Sequence, residues 1–171
     1  GMVDVMEEAG IPCFGPKANA AIIEASKAFS KDLMKKYGIP TADYETFDNE
    51  KDALHYIEEK NTFPIVIKAD GLALGKGVLI CETLDDAKTA LREMMVEHVF
   101  GLSGNKVVVE EFMTGKEVSV LAFTDGNVVK PMISSMDHKR AYDNDEGLNT
   151  GGMGTIAPSP YYTKEIAETC M

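Results

Sequence analysis

Apolar positions along the chain fall into two periods. From residue 18 to 37, Ile22, Ala25, Ala28, Phe29, Leu33 and Tyr37 recur at helical spacing, and Gly38 followed by Pro40 ends the pattern. A shorter helix is predicted over Asp4 to Ala9, stopped by Gly10, with a short strand and proline exit after it in IPCFGP (11–16). Residues 41–47 alternate weakly and read as a strand. Asp48 or Asn49 then caps a helix running to about Asn61, with Ala53, Leu54 and Ile57 inward. Phe63 to Ile67 and Val78 to Cys81 read as two strands separated by a glycine-rich turn. Thr83 caps a helix to about His98, opened by acids that suit its positive end. Three strands follow, over 106–113, 117–126 and 127–134, the last two joined by an Asp125-Gly126-Asn127 hairpin turn. A polar, glycine-rich loop over 137–154 and a helix starting at Thr163 complete the pattern.

Strands joined by hairpins, with helices between some of them, predict a mixed α/β (α+β) fold rather than a doubly wound parallel sheet. The pattern enters on one helix and leaves on another barely begun, so the chain is expected to be a piece of a larger protein. In 171 residues the net charge is −11, which argues against a general nucleic-acid or acidic-membrane binder. No apolar run approaches the roughly 20 residues of a membrane span. No secretory signal pattern is visible. Cys13, Cys81 and Cys170 are odd in number and far apart, without metal or disulfide spacing, which fits a reducing cytosol. Two of the three lie in or beside strand-like runs, where a buried thiol is expected.

The turn between the two strands reads KADGLALGKG (68–77). It is not a P-loop: three residues separate Gly71 from Gly75, Gly77 replaces the hydroxyl that would hold magnesium, and a strand follows instead of a helix. A glycine hairpin flanked by Lys68 and Lys76 can close over a nucleotide as a flap, or can be an ordinary turn with solvated lysines. Further on, Asp137-His138-Lys139-Arg140 packs potential cations beside one carboxylate, and NTGGMG (149–154) forms a second glycine loop. His138 has no second ligand at useful spacing, so no residue is assigned to a metal.

The order of these segments resembles the ATP-grasp enzymes. These are a helix lysine in SKAF, a strand lysine before a glycine flap in VIKADGLALGKG, an acidic strand end in VVVEEFMTGKEVS, then DHKR and NTGGMG. DHKR followed at this spacing by NTGGMG is similar to the phosphoribosylamine–glycine ligases within that family. The resemblance implies an ATP-grasp lid, a mostly antiparallel sheet with helices on it, plus an incomplete second subdomain. Its implied divisions are the end of a preceding domain (1–16), a linker helix (17–40), the lid (41–114) and part of the central subdomain (115–171). It implies that Lys27 and Lys68 reach ATP phosphates, where compact cations offset anionic oxygens. Gly71, Gly75, Lys76 and Gly77 form the flap, whose backbone N–H groups can approach phosphate. Glu110, Glu111, Phe112 and Met113 form the adenine hinge, and Glu117 accepts from ribose. Asp137, His138, Lys139, Arg140, Asn149, Thr150, Gly151 and Gly152 bind substrate. Arg140, Gly152 and Gly154 act on the phosphoryl group in transfer.

The implied reaction joins glycine to 5-phosphoribosylamine with ATP in de novo purine synthesis, in the cytoplasm. Glycine carboxylate takes the γ-phosphoryl group to give glycyl phosphate, and the sugar amine displaces phosphate. Mg²⁺ is implied, with ligands beyond residue 171, so this chain alone is expected to make no product. Met136 and Leu148 stand where the family pattern has glutamine and proline. Two other readings remain: a different ATP-grasp carboxylate–amine ligase, and a nucleotide-binding module without catalysis.

Overall fold

A computed structural model describes residues 1–73 and 77–171, and the backbone alone at 145, 148 and 149. Two compact units divide the chain, Gly1–Met113 and Thr114–Met171.

In the first unit, α1 (Met2–Glu8) ends before Gly10, whose φ of +71° only glycine adopts readily. The expected strand over 11–16 does not form; the segment is irregular and exposed. The long helix predicted over 18–37 is two helices, α2 (Ala18–Ala25) and α3 (Lys27–Tyr37). Ser26 breaks it by taking an extended conformation and capping α3, its Oγ accepting from Phe29 N at 3.1 Å. The predicted stripe is largely solvent-facing: Ile22, Phe29 and Tyr37 are exposed, while α3 buries Ala28 and Lys31. Gly38 closes α3 in the left-handed conformation, as expected.

The core forms around four antiparallel strands, β1 (Tyr44–Phe47), β2 (Ile65–Ala69), β3 (Val78–Cys81) and β4 (Val107–Glu111), in the order β1-β4-β2-β3. Alternation splits the two central strands between faces. Ile65, Ile67, Ala69, Val107 and Val109 are buried with Ala53 and Ile57 of α4 (Glu50–Lys60) and with Ala87, Ala90 and Leu91 of α5 (Leu84–Leu91). The other face presents Val66, Lys68, Val108 and Glu110, with Lys31 of α3 against Glu110. Asn49 caps α4, with Oδ1 accepting from Asp52 N at 2.9 Å. Thr83 and Asp86 cap α5 reciprocally. The helix expected to reach His98 loosens into a π-helical turn over Arg92–Val96. There Met94 O approaches Gly104 so closely that a Cβ at 104 would lie 2.2 Å away.

In the second unit the strands predicted over 117–126 and 127–134 shrink to β5 (Ala122–Thr124) and β6 (Val129–Pro131), both exposed. Their turn is as expected: Asp125 Oδ1 accepts from Asn127 N and Val128 N, both at 2.9 Å. The predicted loop over 137–154 is in part paired backbone, with 150–154 remaining a loop. β7 (Met136–Asp137) pairs with β10 (Thr155–Ile156), and β8 (Arg140–Tyr142) with β9 (Glu146–Asn149) across an irregular register. α6 (Lys164–Cys170) starts at its Thr163 cap. Cys81 is buried as expected, whereas Cys13 and Cys170 are exposed. Among the described residues, no helix is long and apolar enough to cross a membrane.

Candidate functional site

In the first unit, α3 lies over the polar face of the sheet, and a cavity of about 460 Å³ opens between them. Lys27, Lys31, Lys68, Leu72, Ala73, Val108 and Glu110 are on its wall. Lys27 and Lys68, predicted from separate segments, therefore share one cavity. Lys27 sits at the first turn of α3, where its ammonium donates to Ala69 O at 2.8 Å and Gly71 O at 3.0 Å. Burial lowers its pKa, opposed by the charge of Asp70 and reinforced by that of Lys68.

Asp70 joins the helix to the turn. Its Oδ1 accepts from Ala28 N at 2.7 Å and from Ser26 Oγ at 3.0 Å, and Lys27 N donates to Asp70 O at 3.2 Å. Gly71 and Gly77 flank the turn for reasons of close packing. A Cβ at 71 would lie 2.5 Å from Ser103 Oγ, and one at 77 would lie 2.6 Å from Ala73 Cβ. Gly71 N–H is directed at Ser103 O, 3.4 Å away, rather than into the cavity. Gly75 and Lys76 of the predicted flap lie outside the described residues.

Glu110 is buried, and each of its oxygens faces a lysine. Oε1 pairs with Lys68, while Oε2 lies 2.6 Å from Lys31 Nζ, a close ionic contact without hydrogen-bond alignment. Lys31 was missed in the sequence: four residues after Lys27, it reads as part of a solvated helix face. Glu111 and Phe112 turn away from this cavity and line a smaller one of about 270 Å³ with Asp43, Lys60 and Pro64; Met113 is exposed.

The second unit gathers another group of predicted residues. Asp137, Lys139, Gly151, Gly152 and Gly154 line a cavity of about 430 Å³ with Ser119 and Thr155. Backbone bonds hold the two segments together: His138 N donates to Gly154 O at 2.9 Å, and Met153 N to His138 O at 2.7 Å. Thr150 Oγ1 donates to Lys139 O at 2.8 Å. Gly152 has a φ of +117°, which favours glycine. Lys139 forms an ion pair with Glu117, and that hydrogen bond raises its pKa. Arg140 is directed elsewhere, donating from Nη1 to Gly147 O at 2.6 Å and so bracing the β8–β9 hairpin. Asn149 belongs to β9 by its backbone. Glu117, expected at ribose, is engaged with Lys139. Among the described residues no three His, Cys, Asp or Glu side chains converge on a cation position.

An antiparallel sheet crossed by a lysine-bearing helix, followed by a glycine-looped unit, is the fold of the ATP-grasp proteins. The biotin carboxylase domain of Hydrogenobacter thermophilus 2-oxoglutarate carboxylase, solved with MgADP and bicarbonate, has this fold with a TM-score of 0.77 over 98% of this chain and 36% of that one, at 22% identity. The phosphoribosylamine–glycine ligase structure from Thermotoga maritima has a TM-score of 0.81 at 37% identity, covering 92% of this chain and 40% of that one. The family profile "Phosphoribosylglycinamide synthetase, ATP-grasp (A) domain" matches residues 25–171, and the chain belongs to that family. Phosphoribosylamine–glycine ligases of Haemophilus influenzae and Escherichia coli are 51% and 48% identical to it across all 171 residues. The chain spans about 40% of the length of these relatives.

Proposed function

We propose that this chain supplies the ATP-phosphate lid and part of the substrate loop of a phosphoribosylamine–glycine ligase, with residues 41–114 as the lid and 115–171 as part of the central subdomain. The observation that carries the reading is the convergence of Lys27 and Lys68 on one cavity beside the glycine turn. A polyphosphate there meets two ammonium groups from different elements, held by a carboxylate and by backbone carbonyls. Charge is offset where anionic oxygens would otherwise repel. The enzyme's work is then alignment, neutralisation and exclusion of water. Glycine carboxylate attacks the γ-phosphorus, ADP departs, and the sugar amine displaces phosphate from the acyl carbon. The cavity lined by Lys139 and Gly151–Gly154 receives the phosphorylated sugar amine in this reading.

Mg²⁺ has no ligand set among the described residues. The one buried carboxylate at the first cavity, Glu110, is committed to two lysines.

The test is ADP release by the full product of the reading frame that encodes this chain, omitting one substrate at a time. ADP that appears only with glycine and 5-phosphoribosylamine together supports the proposal. ADP with another carboxylate or amine replaces the substrate assignment but keeps the ligase chemistry. ATP binding without turnover on any pair supports a nucleotide-binding module instead.

A further inference from the structure

Lys31 has no part in the reading above, yet among the described residues it is the most deeply buried lysine of the site. It is 8% exposed, in the middle of an amphipathic helix where a lysine ordinarily points to water. Three oxygens surround its ammonium: Thr41 Oγ1 at 2.8 Å, Ala42 O at 3.2 Å and Glu110 Oε2 at 2.6 Å. The Tyr44 ring centroid lies 5.3 Å away. Two of its N–H groups donate to Thr41 Oγ1 and Ala42 O, and the Glu110 carboxylate meets it in ionic contact, so the charge of Lys31 is answered by the protein. Lys68 differs: its side chain is 27% exposed, it opens on the cavity, and it shares the same carboxylate.

The consequence is electrostatic. A lone Glu110–Lys68 pair is neutral and has little to offer a phosphate. With Lys31 on the second oxygen, the three groups together carry one net positive charge, and Lys68, its side chain 27% exposed against 11% for Lys31, is the better placed to carry it outward. We infer that Lys31 is a positioning residue that cancels the charge of Glu110 from behind, so that Lys68 presents a full cationic charge to an anionic ligand in the cavity. This rests on the reading of that cavity as a polyphosphate site. It adds the division of labour within it: one lysine faces the ligand, and the other sets the carboxylate and the local charge.

Isothermal titration of this chain with ATP, inorganic tripolyphosphate and adenosine tests the assignment, with thermal melts confirming that each variant is folded. Lys31→Met leaves Glu110 to neutralise Lys68, so ATP and tripolyphosphate should each bind about tenfold more weakly, the effect of one screened charge a few Å away. Lys31→Arg keeps the charge and should stay near the parent. Lys31→Met/Glu110→Gln removes both charges of the rear pair and should return tripolyphosphate binding to within about threefold of the parent. A merely structural lysine would not give this rescue.

Unchanged tripolyphosphate binding by Lys31→Met overturns the assignment, as does a double variant as weak as the single. If Lys31→Met does not fold, the double variant decides alone, and weak tripolyphosphate binding by it is the overturning result. A parent chain that takes up tripolyphosphate but not ATP overturns the nucleotide reading and leaves the charge assignment standing. One that takes up neither overturns both.

Discussion

Asp70 is the residue whose loss should separate helix α3 from the glycine turn. Replacing it with alanine removes the acceptor for two donors, Ala28 N at 2.7 Å and Ser26 Oγ at 3.0 Å, and leaves a helix-start N–H without its carboxylate. A hydrogen bond to a charged group contributes about 1.5–3 kcal/mol when buried. Both of these are partly buried and the helix end retains access to water, so the combined cost is about 2–4 kcal/mol. A chain of this size loses about 2–4 °C of Tm per kcal/mol, which predicts a fall of about 4–16 °C for Asp70→Ala. Asp70→Asn keeps an acceptor in place and should lose about 1 kcal/mol. The same change loosens Lys27, because the carbonyls its ammonium touches, Ala69 O and Gly71 O, flank position 70. ATP affinity measured on the folded variant should therefore fall as well. Urea unfolding with a loss below about 0.5 kcal/mol for Asp70→Ala would refute the view that this carboxylate joins the two elements.

Other consequences are as direct. Ile67 is fully buried in the centre of the sheet, so Ile67→Ala should cost about 2–5 kcal/mol in urea unfolding. Gly104→Ala places a methyl carbon 2.2 Å from Met94 O, a backbone atom that cannot swing aside, and should lower Tm more than any surface substitution in the same unit. Ellman's reagent at neutral pH should label Cys13 and Cys170 rapidly and Cys81 only as the chain unfolds. Burial pushes the Cys81 thiol from 9.0 up to about 11. The folded state thus keeps the neutral form, with its stabilising effect fully present below pH 9 and lost as pH rises from 9 to 11. A Cys81→Ala variant should lack that part of the alkaline decline. Lys139 and Glu117 are about half exposed, so Lys139→Ala should change stability by less than about 1 kcal/mol. In the proposed ligase it should raise the KM for the sugar amine.

The legible parts of the sequence were those with local causes. Asn49, Thr83 and Thr163 are short polar side chains that close the first turn of their own helices, and Gly38 ends one by its backbone freedom. The β2–β3 hairpin follows from two apolar runs and the glycines between them. The missed features depend on partners far along the chain. Ser26 interrupts an unbroken apolar period because Asp70 waits for its hydroxyl and for the next turn's N–H. Lys31 looks like a surface lysine until Glu110 is placed opposite it. The hairpin over 140–149 is polar and irregular in register, so alternation gave no sign of it, and its brace from Arg140 to Gly147 O is a tertiary contact. At the candidate site the residue types were visible, but only the family resemblance put Lys27 with Lys68 and Lys139 with Gly151 and Gly152; spacing along the chain did not.

Lys68 and Glu110 lie on neighbouring strands, where Lys68 stands opposite Val108 and Val66 opposite Glu110. The ion pair is thus a diagonal one, available only when β2 and β4 are aligned as they are. Sliding one strand by a single residue would turn its charge toward the apolar layer under α4 and α5 and leave the other unanswered. The pair therefore proofreads the assembly of the sheet. A misaligned chain pays with a stranded charge, and the same two residues that line the cavity decide which arrangement of four strands survives.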